Sequence, residues 1–220
     1  MKKAVPALGL IITLMLLSLT IYGQEESSVQ TERKNEHAGI IVAFGDSLTA
    51  GAGVAENEAY PAQLERKLNA DGHHYKVINA GVSGETSSGA LSRIKWVLTM
   101  KPDIVILETG ANDGLRGVNP ELTRNNLDAI VAALKEHGVV VVLAGMRMAS
   151  NLGREYTEKF AAMYPFVAAK HQVILMPFFL AGVAGDPNLN QQDGIHPTAK
   201  GYEIVTANIY PYVVNAVKQR

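Results

Sequence analysis

At 220 residues, 47% of them hydrophobic and 19% charged, the chain is sized for one domain with a sizeable core. A formal net charge of −1 excludes the basic footprint of a nucleic-acid binder, so no nucleic-acid partner is expected. Cysteine is absent, which excludes disulfides, thiolate metal sites, a cysteine nucleophile and lipoprotein-type acylation.

The chain opens on Met1-Lys2-Lys3, followed by the apolar run AVPALGLIITLMLLSLTIYG. A positive start before an apolar stretch predicts a secretory signal peptide over residues 1–23. The run is close to the shortest membrane span, roughly 17–25 residues, so an uncleaved anchor is the alternative. Residues 24–38, QEESSVQTERKNEHA, are polar and read as a flexible tether. The folded domain is then expected over 39–220, in an exported, periplasmic or secreted protein or in a membrane-anchored form.

From Gly39 onward short apolar runs alternate with amphipathic ones. GIIVAF (39–44), YKVINA (75–80), DIVILET (103–109), VVVVLAG (139–145) and QVILM (172–176) are rich in Val and Ile. Their lack of polar alternation predicts strands buried on both faces. Helices are predicted between and after them. One over 59–72 carries Leu64 and Leu68, and one over 87–102 carries Leu91, Ile94 and Leu98. A third, over 119–138, opens with an Asn119 cap and Pro120, while those over 153–171 and 197–218 each hold an internal proline able to kink them. This alternation predicts an α/β fold with a five-stranded parallel sheet and right-handed crossovers.

In such sheets the working groups sit beyond the carboxyl ends of the strands. The polar, glycine-containing clusters GDSLTAGAG, GVSGETSSG, GANDGLRG and NQQDGIHP all fall there. In DGIHP, Asp193 precedes His196 by three residues, a spacing that lets a carboxylate reach imidazole Nδ1 and leaves Nε2 free for a partner. A turn followed by a helix beginning at Pro197 explains the same residues without chemistry. No metal site is expected, because His37 lies in the tether, His73 and His74 precede the second strand, and His137 and His171 end helices.

Ser47, on the loop after the first strand, needs a base to become a nucleophile, and His196 could meet it at the same sheet edge. Its surroundings lack both the G-x-S-x-G elbow and a Walker A lysine, leaving an anion-binding turn as the competing reading. Gly81, whose amide can approach a ligand closely, Asn112, a neutral amide, and Ser47's own N–H are candidate oxyanion donors. Asn112-Asp113-Gly114 taken alone also reads as a turn. Asp46 is assigned to structuring the loop beside Ser47.

FGDSLTAG, NAGVSGETS, ETGANDGLRG and DGIHPTAKGY resemble, in order, the four sequence blocks of the GDSL, or SGNH, hydrolases. GANDGLRG, NLGREYTEKFAAMYP and MPFFL make the chain similar to that family's bacterial thioesterase, lysophospholipase and arylesterase branch, exported enzymes of the envelope. The resemblance implies a three-layer, flavodoxin-like α/β/α fold and a monomer that needs no cofactor. It implies Ser47 as nucleophile, His196 as base, Asp193 as orienting carboxylate, and Ser47, Gly81 and Asn112 as the oxyanion hole. The substrates implied are small-molecule acyl esters or thioesters, membrane lipids such as lysophospholipids, and aryl esters. The loop after the third strand resembles a mobile flap over the acyl chain, so Leu115 and Val118, with Phe178, Phe179 and Leu180 of MPFFL, are candidate acyl contacts. A carbohydrate acetylesterase with the same triad and a non-catalytic phosphate or nucleotide binder are the alternatives.

Overall fold

The computed structural model describes residues 37–220. The expected signal or anchor segment and most of the tether lie outside the described residues. Strands β1 (Gly39–Gly45), β2 (Tyr75–Gly81), β3 (Ile104–Glu108), β4 (Val140–Ala144) and β5 (Ile174–Met176) form one parallel sheet in the order β2-β1-β3-β4-β5. This is the flavodoxin-like order, and the chain reverses its direction of winding at β1 and β3.

The helices are α1 (Ser47–Ala50), α2 (Tyr60–Ala70), α3 (Ser87–Ser92), α4 (Ile94–Thr99), α5 (Ala111–Leu115), α6 (Pro120–Glu136), α7 (Arg154–His171) and α8 (Ala199–Val217). With right-handed crossovers, the step from β1 to β2 puts α2 on one face of the sheet. Later steps run the other way across it and put α3, α6 and α7 on the opposite face. Accordingly α2 packs with α8, and α6 packs with α3 and α7. The result is the three-layer α/β/α sandwich expected. Every residue of β3 is buried, as its unbroken apolar run requires.

Three local expectations needed correction. β2 alternates between buried and exposed residues, because the strand order leaves it at an edge where Lys76 and Asn79 face outward. The single helix expected over 87–102 is two, broken at Arg93, whose guanidinium turns inward to the Ala80 and Gly45 carbonyls at 2.8 and 3.2 Å. The last helix starts at Ala199, capped by the Thr198 hydroxyl accepting from Gly201 N–H, with Pro197 outside it. Pro165 and Pro211 lie within α7 and α8, and neither ends its helix.

Candidate active site

The chain leaves β1 at Gly45 and turns immediately into α1, so Ser47 is the first residue of a one-turn helix at the sheet edge. Asp46 caps that helix, its Oδ1 accepting the Leu48 N–H at 2.9 Å. Gly51, in the left-handed region at φ 81°, ends it. Opposite lies the loop before α8. Gln191 holds it there, its side-chain amide donating to the Ala52 carbonyl at 2.7 Å and to that of Pro197 at 3.0 Å. That approach needs a glycine at position 53, where a β carbon would collide with the Gln191 side chain.

The two loops bring the predicted groups together. His196 Nε2 lies 2.9 Å from Ser47 Oγ, and His196 Nδ1 lies 2.6 Å from Asp193 Oδ2. Asp193 Oδ1 also accepts the N–H groups of Ile195 and His196 at 2.9 and 3.0 Å. The hydrogen bond from the imidazole, followed by those two amides, holds the Asp193 carboxyl down to about 2, so it is ionised through the neutral range. An anchored carboxylate of this kind fixes the ring so that Nε2 faces the serine.

Asn112 is half-buried in α5 and donates from Nδ2 to Asp46 Oδ2 at 3.1 Å. A primary amide has two N–H groups, so one remains for a ligand. Its neighbour Asp113 is buried and accepts from the Ser87 N–H at 2.7 Å, the Ser87 hydroxyl at 2.5 Å and the Thr123 hydroxyl at 3.1 Å. Asp113 therefore ties the loops after β2 and β3 together, which a simple surface turn would not do.

The geometry at Gly81 differs from expectation. Its N–H donates to Asn79 Oδ1 at 2.9 Å, so the amide is already engaged. Its missing side chain serves close packing against the serine helix, since a β carbon would run into the backbone nitrogen of Ala50. The next glycine, Gly84, was not among the sequence candidates. Glu85 N–H donates to the Val82 carbonyl at 3.1 Å, closing a four-residue turn with Gly84 third at φ 77°. That is the position a type II turn reserves for glycine, and its amide takes no part in the closing bond. Arg116, beyond α5, donates to the Gly84 carbonyl at 3.0 Å and so bridges the two loops. Behind the turn a half-buried pair, Arg93 Nη2 to Glu85 Oε2 at 2.6 Å, holds it to the sheet. The visible signal for Gly84 was the second glycine of Gly-Val-Ser-Gly.

The acyl-contact candidates divide. Leu115 is 55% exposed beside Asn112, and Val118 is half-buried, its carbonyl accepting from the Tyr156 hydroxyl at 2.7 Å. Phe178 is half-buried under the Arg147 guanidinium. Phe179 and Leu180 are buried in the core. Phe179 packs edge-on against Tyr60, with ring centroids 5.2 Å apart, because its N–H is fixed to the Gly145 carbonyl at 2.8 Å.

Residues 43–204 match the model of the GDSL-like lipase/acylhydrolase family. The chain belongs to that family. It is 37% identical over 172 residues to the esterase TesA of Pseudomonas aeruginosa, covering 78% of this chain and 86% of the relative. It is 38% identical over 161 residues to thioesterase 1/protease 1/lysophospholipase L1 of Escherichia coli, covering 73% and 76% respectively. The crystal structure of AlinE4, an SGNH-hydrolase family esterase, superimposes with a TM-score of 0.70 at 44% identity, covering 82% of this chain and 97% of that one. In this GDSL-family chain the four blocks thus converge at the β1/β3 edge, where the strand order reverses.

Proposed function

We propose that the protein is an exported serine esterase that hydrolyses carboxylic esters and thioesters through an acyl-enzyme on Ser47. The observation that carries this reading is the continuous hydrogen-bonded chain Ser47 Oγ, His196, Asp193 at 2.9 and 2.6 Å. Ser47 Oγ attacks the acyl carbonyl while His196 Nε2 takes its proton, and His196 then returns the proton to the departing alkoxide or thiolate. Water attacks the acyl-enzyme in the same way, releasing the acid and regenerating Ser47. Because His196 must be neutral to accept the proton, activity falls in acid.

The developing oxyanion is bound by the Ser47 amide, by the second N–H of Asn112 and by the amide of Gly84 in place of Gly81. Asn112→Ala is expected to lower kcat by about 10²–10³-fold with little change in KM, because the bond strengthens only as charge develops. Steady-state kinetics on a p-nitrophenyl ester measures both constants.

Acyl chains of medium to long length are the proposed substrates, lysophospholipids and acyl thioesters included. Support comes from apolar side chains left in water beside the site, Leu115 at 55% and Val82 at 46% exposed, on the two loops that Arg116 joins. A covering acyl chain removes that surface from water at about 0.8 kcal/mol per buried methylene. In a p-nitrophenyl ester series kcat/KM is expected to rise beyond acetyl; a sharp maximum at acetyl contradicts the lipid assignment and favours a carbohydrate acetylesterase. Export is supported by the charged and apolar pattern of residues 1–23.

A further inference from the structure

Glu108, the last residue of β3, takes no part in the acyl-transfer cycle, yet it lies fully buried directly beneath the serine turn. Its Oε2 accepts the Thr49 hydroxyl at 2.9 Å and the Asp46 N–H at 3.3 Å. Its Oε1 is buried and accepts from nothing among the described residues. Asp46 is buried as well, and the two neighbouring acids act on each other's ionisation.

The other titratable groups around Glu108 come from three helices: Tyr60 on α2, Tyr164 on α7 and Tyr202 on α8. Tyr164 donates to the Thr109 carbonyl at 2.9 Å and Tyr202 to that of Leu48 at 3.0 Å, so neither hydroxyl proton serves Glu108. The Tyr60 hydroxyl lies 3.4 Å from Thr49 Oγ1. When protonated, His196 favours the ionised form of Asp46. An ionised Glu108 would therefore hold an unsolvated oxygen beside a second acid, the arrangement that burial penalises most. A neutral acid carries a proton to donate, and the neighbouring Asp46 carboxylate is an acceptor for it.

We propose that Glu108 is held as the neutral acid and donates its proton in a hydrogen bond to the Asp46 carboxylate, making a buried acid–carboxylate pair that positions Asn112. Asp46 spends one oxygen capping the serine helix and the other on Asn112 Nδ2, which fixes which way the amide turns its remaining N–H. Burial pushes both carboxyl groups above the usual carboxylate range, the fully buried Glu108 further than Asp46, so Glu108 is the acid that keeps the pair's last proton. Glu108 is thus a positioning residue, and its kinetic effect rests on the reading of Asn112 as an oxyanion donor.

Two variants and two readouts test this. Glu108→Leu, which removes the donor, is expected to lower kcat about 10–100-fold with KM held within about twofold. Glu108→Gln, which is neutral and keeps a donor and an acceptor, is expected to restore kcat to within about threefold of the parent. The second readout is melting temperature against pH. An unfolded glutamate ionises near about pH 4.3, so a Glu108 that is neutral when folded must take up a proton on folding, and the parent loses stability as pH rises. Glu108→Gln has no such proton to take up. Its melting temperature relative to the parent is therefore expected to climb between about pH 5 and pH 8.

A pH-independent melting difference, or Glu108→Gln as slow as Glu108→Leu, overturns the proposal. If Glu108→Leu does not fold, the melting comparison of Glu108→Gln decides alone. A normal fluorophosphonate adduct on Ser47 with a flat melting difference overturns the buried pair and spares the acyl-enzyme. No adduct on Ser47 with a climbing melting difference overturns the acyl-enzyme and spares the pair.

Discussion

Ser47→Ala is expected to lower ester turnover by about 10⁴-fold or more, leaving only the residual rate that positioning and oxyanion donors supply without a nucleophile. The size of the effect follows from the geometry. No other hydroxyl among the described residues hydrogen-bonds His196 Nε2, which lies 2.9 Å from Ser47 Oγ. The substitution is small and half-exposed, and α1 keeps its Asp46 cap and Gly51 end, so the variant should fold as the parent does. Far-ultraviolet circular dichroism and kinetics on one preparation separate lost chemistry from lost structure. A variant that kept most of its esterase activity would rule out the nucleophile assignment.

His196→Ala is expected to cost a similar amount, about 10⁴-fold or more, because a serine without its base is a poor nucleophile at neutral pH. The two losses should not add. In Ser47→Ala/His196→Ala the second substitution should change turnover by less than about tenfold, since both act in one proton-transfer unit. An additive double variant would mean that the two side chains work independently, which the 2.9 Å contact argues against. Asp193 is not expected to shape the acid limb of the parent's activity. With its carboxyl held at about 2, it stays ionised until far below the range where the enzyme would be assayed. Its stabilising contribution is present above the unfolded value of about 3.9 and is lost only as pH falls toward 2.

How much of this was legible in the sequence depends on what each feature requires of its neighbours. β1, β3 and β4 show as continuous apolar runs because helices cover both faces of the sheet. Their order and the right-handed crossovers then leave few places for the loops to meet. Ser47, Asp193, His196 and Asn112 follow from that, each on a loop at one edge with turn glycines to bring it there. Gly81 and Gly84 could not be separated this way. Which amide is free depends on the Asn79 side chain folding back onto Gly81, a contact no spacing encodes.

The burial of Phe179 and Leu180 was hidden for a related reason: an apolar loop residue is exposed or buried according to what lies beneath it, for Phe179 the Tyr60 ring from α2. Glu108 closes an apolar strand, where an acid reads as a solvated end. Only the stacking of Thr49, Asp46 and three tyrosines around it shows that it is buried. Arg93, inside the single helix expected over 87–102, is instead the point at which that helix breaks to pin two strand ends.

The most direct measurement of the central claim is covalent labelling of the parent chain with a fluorophosphonate in the presence of EDTA, read by intact mass and peptide mapping. One adduct per chain on the peptide holding Ser47, absent from Ser47→Ala, is the predicted result. An unlabelled parent, or an adduct on another residue, would contradict the acyl-enzyme and return the site to a phosphate-binding turn.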